Sequence, residues 1–204
     1  MMSVEMERQS VRALSRNAAL LVVDMQMGFD APAWGRRNNP NAETKVAALL
    51  AAWRAAASTV IHIHHDSPSP TGLLRRGSPG NSPKPEAQPL AHEKIYRKRV
   101  NSAFIGTDLE VDLVQQGVAT LAIVGLTTNH CISTTARMSG NLGFETFVLR
   151  DATAAFARPD LNGRNCSADE VHNAALSDLR GEFAQIVDTN FVLAALAERR
   201  AACV

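Results

Sequence analysis

The sequence predicts an α/β protein: a mostly parallel central sheet covered by helices on both faces, three α/β/α layers in all. Three observations predict it. Short apolar runs such as "AALLVVD" (18–24) lack the polar alternation of a half-exposed strand, so they read as strands buried on both faces. Segments with apolar residues at helical spacing alternate with these runs. The chain of 204 residues, 46% hydrophobic and 20% charged, is long enough for one substantial core, and one domain spanning 1–204 is expected, with 1–16 as an N-terminal tail.

After the strand at 18–24 and a Gly-, Pro- and Asn-rich loop comes "NAETKVAALLAAWRAAA" (41–57). Its Val46, Leu49, Leu50, Trp53 and Ala57 recur at helical spacing, and Asn41 is placed to cap the start. "TVIHIHH" (59–65) reads as a second strand. Residues 66–93 hold six of the nine prolines together with Gly72, Gly77 and Gly80, which excludes regular structure. At that length the segment reads as a lid, a subunit contact or a disordered excursion. Thr107-Asp108-Leu109-Glu110 reads as a capping box opening a short helix that Gly117 closes. "VATLAIVG" (118–125) is a strand, 129–142 a helix ended by Gly143, and "FETFVLR" (144–150) another strand. Ser167-Ala168-Asp169-Glu170 is a second capping box, opening a helix to about Arg180; "FAQIV" (183–187) and "NFVLAALAERR" (190–200) supply the last strand and helix. Five strands and five helices therefore alternate.

A formal net charge of +1 gives no reason to expect a nucleic acid or an anionic membrane as partner. No apolar run approaches the roughly 18 residues a bilayer requires, and the first residues carry charge where a signal peptide is apolar, so a cytoplasmic protein is expected. Cys131, Cys166 and Cys203 are too far apart for a disulfide framework or a zinc spacing; Cys203 is expected in a frayed tail.

In a parallel sheet of this kind ligands bind beyond the carboxyl ends of the strands. Asp24, His64 and His65 end strands, and Cys131 just follows one. At the first turn of a helix, unpaired N–H groups and the helix dipole would stabilise a Cys131 thiolate, and Lys98 in "KIYRKRVNSAF" (94–104) would lower its pKa further. Asp24 alone reads equally as a carboxylate satisfied by N–H groups, and Cys131 alone as packing; their meeting on one sheet edge favours chemistry.

Three motifs in order carry a resemblance. "VVDMQMGF" (22–29), "KRVNSAFIGTDLE" (98–110) and "GLTTNHCISTTAR" (125–137) resemble the aspartate, lysine and nucleophile motifs of the isochorismatase-like cysteine hydrolases, a superfamily that includes nicotinamidases and N-carbamoylsarcosine and ureidoacrylate amidases. The resemblance implies the Rossmann-like isochorismatase fold and a catalytic triad of Asp24, Lys98 and Cys131. It implies a cis peptide between Leu126 and Thr127, and an oxyanion hole formed by the N–H groups of Thr127 and Cys131. It further implies hydrolysis of a C–N bond in a small amide, ureido or carbamoyl compound through a thioester, and assembly as a homodimer or homotetramer. Gln26 and Phe29 are expected in the pocket wall, Phe29 reading equally as core, with Phe104 and Asn101 facing the site and His130 lining it. Arg97 and Arg99 read as solvated or at a subunit contact, and Arg137 and Asp151 as an ion pair behind the site.

Departures narrow the reading. Nicotinamidases carry an Asp-x-His…His metal site after the second strand, whereas here "HIHHDSPSP" has no matching later histidine in 66–91. His62, His64 and His65 therefore read as satisfied or solvated, and neither metal nor cofactor is expected. Two alternatives to an amidase stand. One is the vinyl-ether-cleaving isochorismatase, which needs the aspartate but not the cysteine and whose carrier-protein domain is not expected here. The other is a silent member that binds a metabolite in the same pocket.

Overall fold

The structure, a computed structural model, describes residues 14–201; Cys203 and the first thirteen residues of the expected tail lie outside them. In the first strand, β1 (Ala18–Val23), Leu20 and Val22 join one apolar cluster while Ala19, Leu21 and Val23 join another. That two-sided burial is what a continuous apolar run implies, because successive side chains of a strand point to opposite faces. Two strands pair with β1 in parallel, β2 (Val60–His65) on one side and β4 (Thr120–Leu126) on the other. Outside them lie β3 (Lys94–Lys98) next to β2, and β5 (Glu145–Ala154) then β8 (Gln185–Val187) beyond β4. The sheet order is β3-β2-β1-β4-β5-β8, with every pair parallel. A small antiparallel hairpin, β6 (Arg158–Pro159) with β7 (Asn165–Cys166), follows β5.

Helices α1 (Ala42–Ala55) and α5 (Thr189–Ala201) cover one face through Val46, Leu49, Leu50, Trp53, Val192 and Leu196. On the other face α2 (Leu109–Gln115), α3 (Ser133–Asn141) and α4 (Ala168–Leu179) contribute Leu109, Leu113, Ala136, Leu176 and Leu179. Fully buried Trp53 also donates its indole N–H to the Ala18 carbonyl at 3.1 Å, so its one polar atom is satisfied. Burying a large apolar side chain of this kind stabilises by about 1.5–3 kcal/mol. Among the described residues no helix is long and apolar enough to cross a membrane.

Several local expectations change. A sixth strand, β3, adds to the five read from the sequence. Ser167 and Glu170 form the expected capping box, but at 107–110 the cap residue is Asp108, whose side chain makes no capping bond; Thr107 Oγ1 donates to the Ala103 carbonyl at 2.6 Å and accepts from Leu109 N–H at 3.4 Å. Asn41 stands at the N-cap of α1 without a capping hydrogen bond from its side chain. The expected helix 129–142 begins as one π-helical turn, Thr128–Ile132, before α3. Arg137 and Asp151 do not pair: Arg137 reaches Asp178 at 3.8 Å, and Asp151 accepts from the backbone N–H and hydroxyl of Thr189 at 2.8 and 2.9 Å.

Residues 66–93 are pinned rather than loose. The Met27 N–H reaches the Ser82 carbonyl at 2.9 Å and the Lys84 N–H the Met25 carbonyl at 2.8 Å. Lys84, itself buried, pairs with Asp30 and lies 3.1 Å from Glu43. Gly28 and Gly80 meet backbone to backbone: a Cβ on Gly80 would lie 2.3 Å from the Leu73 carbonyl oxygen and 2.9 Å from Gly28 Cα. Lacking side chains, these two residues let the loop press onto the segment that leaves β1.

Candidate active site

The chain leaves β1 toward β2 but leaves β4 toward β5, so strand order reverses between β1 and β4, and the crevice there is where such a sheet accepts a ligand. Gly125 sits at this point with φ +119°, and a Cβ on it would fall 1.9 Å from the Val23 carbonyl oxygen. Only glycine allows β4 to pass β1 so closely here.

Asp24 takes the backbone off β1 in a left-handed conformation, φ 51°, which is costly for a residue with a side chain and is concentrated at functional sites. Its N–H is held by the Ile63 carbonyl at 2.8 Å, and its carboxylate is fully buried. Lys98 enters from the end of β3, 1% exposed, and its ammonium lies 2.6 Å from Asp24 Oδ2, 3.3 Å from Cys131 Sγ and 3.2 Å from His65 Nδ1. The other carboxylate oxygen, Asp24 Oδ1, is buried and has no hydrogen-bond partner. The structure thus brings Asp24, Lys98 and Cys131 together from positions far apart in the chain.

The turn that carries Cys131 follows a cis peptide between Leu126 and Thr127, as expected. The Thr127 carbonyl accepts from His130 N–H at 3.1 Å and from Ile132 N–H at 3.2 Å, closing the π turn around the cysteine. Cys131 is 6% exposed. Burial pushes its thiol well above the usual range and the Asp24 carboxylate adds to this, while Lys98 offsets part of it. The expected acidified thiol is therefore corrected: with the sulfur buried beside the Asp24 carboxylate, the neutral S–H is favoured. His65 is held down by burial and by the neighbouring Lys98 charge, so its bare Nδ1 can accept from the ammonium.

The remaining expected residues divide. Gln26 is fully buried and spends its amide on the backbone: Oε1 accepts from His65 N–H at 2.8 Å, and Nε2 donates to the His65 and Asn81 carbonyls at 3.1 and 2.9 Å. It fixes the end of β2 against the long loop. Phe29 packs with Trp34 (centroids 5.1 Å) and Phe156 (6.3 Å), an aromatic group just past the ends of β1 and β5. Phe104 stacks instead on Phe144 at 5.9 Å, which precedes β5 at the opposite end of that strand, and so belongs to the core. Asn101 Oδ1 stands 3.8 Å from Cys131 Sγ. His130 is exposed, with Nε2 3.3 Å from Arg158 Nη1. Arg97 is not merely solvated; it binds Asp66 at 2.7 Å.

A nicotinamidase-type metal set does not fit these residues. His62 Nε2 is engaged by Glu93 at 2.9 Å. His64 is buried and neutral with an unpartnered Nδ1, but among the described residues no two further ligating side chains converge on it. Asp24, His65 and Cys131 do bring ligand atoms within 4.8 Å of one another, but the Lys98 ammonium lies within bonding reach of all three and is the cation there.

Comparison with known proteins agrees with this geometry: residues 18–191 match the isochorismatase domain family. The chain belongs to the isochorismatase family. Isochorismatase family protein YrdC of Bacillus subtilis is 45% identical over 177 residues, 87% of this chain and 95% of that protein. Nicotinamidase 3 of Arabidopsis thaliana is 32% identical over 187 residues, covering 85% and 86%. A solved structure of an isochorismatase-family hydrolase from Chromobacterium violaceum superposes with a TM-score of 0.88 at 43% identity, covering 90% of this chain and 95% of that one. The isochorismatase fold expected from the motifs is therefore the fold observed, and the protein is a member of a hydrolase family. Two groups near the site of this isochorismatase-family chain had no reading in the sequence. Arg158 lies in a two-residue strand with no local pattern, and His172 in an ordinary helical stretch.

Proposed function

We propose that the chain is a cysteine hydrolase that cleaves the C–N bond of a small amide, ureido or carbamoyl compound through a thioester. The single observation that carries the reading is the buried Lys98 ammonium, 2.6 Å from the Asp24 carboxylate and 3.3 Å from the Cys131 sulfur. In the resting site the carboxylate is the base and the thiol the acid. When an amide enters, Asp24 takes the Cys131 proton as the sulfur attacks the carbonyl carbon. Lys98 keeps one negative partner throughout, the carboxylate before transfer and the thiolate after it, so the buried positive charge is never left alone. The N–H groups of Thr127 and Cys131 are the donors assigned to the tetrahedral oxyanion. Asp24 returns its proton to the departing amine, water enters, and Asp24 as base again promotes hydrolysis of the thioester.

The rim supports a substrate bearing an anionic group. Among the described residues Arg158 forms no ion pair; its guanidinium touches the ring of His130, beside the nucleophile. Phe156, two residues before Arg158, packs with Phe29 and Trp34 into an apolar wall that suits a flat or alkyl portion. The relative Nicotinamidase 3 of Arabidopsis thaliana, by its name an amidase, supports C–N cleavage. Assembly as a homodimer or homotetramer is part of the proposal, and light scattering checks it.

The test is a panel of small carboxylated amides, ureides and carbamoyl compounds with ammonia release as readout, run with Cys131→Ala beside the parent enzyme. We expect loss of turnover of roughly a thousandfold or more for Cys131→Ala. Undiminished turnover in that variant overturns the thioester and moves the cysteine-independent vinyl-ether chemistry forward.

A further inference from the structure

Helix α4 packs through an inward stripe, Ala168, His172, Ala175, Leu176 and Leu179, in which one member is not apolar. Its capping box, Ser167 with Glu170, sets where the helix begins and hence which face His172 occupies. His172 is 4% exposed, and its Nδ1 lies 2.8 Å from the hydroxyl of Thr128, which is fully buried. The backbone carbonyl of Arg150 in β5 also acts on the ring, favouring its protonated form. We assign the ring proton to Nε2, the tautomer that suits an acceptor there. A neutral ring then has a bare Nδ1, and the Thr128 hydroxyl donates to it. Burial holds the ring neutral; the Arg150 carbonyl and the Asp169 charge on the same helix work the other way without prevailing.

We propose that His172 is a positioning residue for the nucleophile turn, holding Thr128 so that the Thr127 and Cys131 N–H groups keep their aim at the substrate oxygen. The proposal rests on the cysteine-hydrolase reading. Thr128 directly follows Thr127, and the Thr127 carbonyl is already fixed by His130 and Ile132. Cys131 and His130 of the turn reach Lys98, Asn101 and Arg158, but Thr128 is the residue whose side chain ties the turn to α4, and His172 makes that tie. A small displacement of preorganised donors is felt in acyl transfer far more than in simple thiol alkylation, because only acyl transfer develops an oxyanion.

The experiment uses the full chain and two probes: p-nitrophenyl acetate, which must acylate Cys131 through an oxyanion, and iodoacetamide, which alkylates it without one. Thr128→Val keeps the shape and removes the hydroxyl. His172→Gln keeps a donor for Arg150 but loses the acceptor, and His172→Asn keeps an acceptor at the Nδ1 position. We expect Thr128→Val and His172→Gln each to slow acylation about tenfold, with alkylation within about twofold of the parent. His172→Asn should recover most of the loss, and the Thr128→Val/His172→Gln double variant should be no slower than either single one. Thermal melts identify any variant that has not folded, and Thr128→Val, being isosteric, keeps the test open if a histidine variant fails. Equal loss in both reactions, or additive losses in the double variant, overturns the positioning role. A parent enzyme that p-nitrophenyl acetate does not acylate at Cys131 overturns the cysteine-hydrolase reading as well, whereas an acylated parent with unaffected variants overturns this one alone.

Discussion

Removing the cation from the Asp24–Lys98 pair should cost more than removing both charges. Lys98 is 1% exposed and Asp24 0%, their contact is 2.6 Å, and Asp24 Oδ1 has no other partner to fall back on. Lys98→Met retains most of the aliphatic volume but leaves a buried carboxylate whose remaining neighbours are the Cys131 thiol and the neutral His65 ring. Breaking a buried pair in this way typically destabilises by about 3–5 kcal/mol, whereas replacing both charges with neutral groups of similar volume is often close to neutral. Asp24→Asn is the gentle change at the other end, since asparagine tolerates the left-handed backbone that position 24 adopts. The double variant Asp24→Asn/Lys98→Met is therefore expected to be more stable than Lys98→Met by about 2 kcal/mol or more, giving a strongly non-additive cycle. Urea unfolding at pH 7.5, followed by circular dichroism, measures all four corners. Single losses below about 1 kcal/mol, or losses that simply add, would refute the view that the pair is a dry, mutually dependent ion pair.

Three further outcomes are expected. At pH 7.5 iodoacetamide should label Cys131 in the free enzyme more slowly than it labels free cysteine, because burial and Asp24 push its thiol up; faster labelling, resolved by mass spectrometry, would restore the acidified thiol. Glu93 is held at about 2 against an ordinary 4.5: burial opposes this, but the hydrogen bonds from Arg54, Leu90 N–H and His62 outweigh it. Because its folded pKa is depressed, the stability it contributes is present above pH 4.5 and is lost as pH falls toward 2. Discounted for the partly exposed Arg54, Glu93→Gln should cost about 2 kcal/mol at pH 7 and almost nothing at pH 2, and equal losses in urea melts at both would disprove it. Gly80→Ala should destabilise by about 1–3 kcal/mol through its collision with the Leu73 carbonyl and open residues 66–93 to limited proteolysis; an unchanged melting temperature would count against the backbone interlock with Gly28.

Strands buried on both faces announce themselves in composition, which is why β1, β2, β4 and β5 were legible; β8, half-buried at the other edge, was read from the short run "FAQIV". The edge strand β3 was not. "KIYRK" alternates exposed with buried only from Tyr96 onward, and at an edge charged residues are as acceptable as apolar ones. Asp24 and Cys131 were legible because a carboxylate and a thiol stand where an apolar run stops. Lys98 needed the motif around it, since one lysine in "RKR" looks like its neighbours. The thiol's electrostatics were misjudged because the sequence shows that an ammonium is near but not how completely water is excluded. The π turn and the Thr128–His172 bond were invisible for a related reason: both depend on where α4 comes to rest against residues more than forty positions earlier. A histidine inside the stripe Ala168–Leu179 was the one available signal.

The placement of Lys98 on the outermost strand has a consequence for how this enzyme fails. Asp24 and Cys131 belong to the two central strands, paired on both sides, whereas β3 is paired only with β2. Edge elements open at lower free energy than central ones. Peeling β3 from the sheet would withdraw the cation while leaving the proposed nucleophile and base in place. The molecule would then lose turnover while still largely folded, so catalysis should disappear in mild denaturant ahead of the circular dichroism signal. Activity in this chain is in effect a gauge of its border, and the interior can be sound when the gauge reads zero.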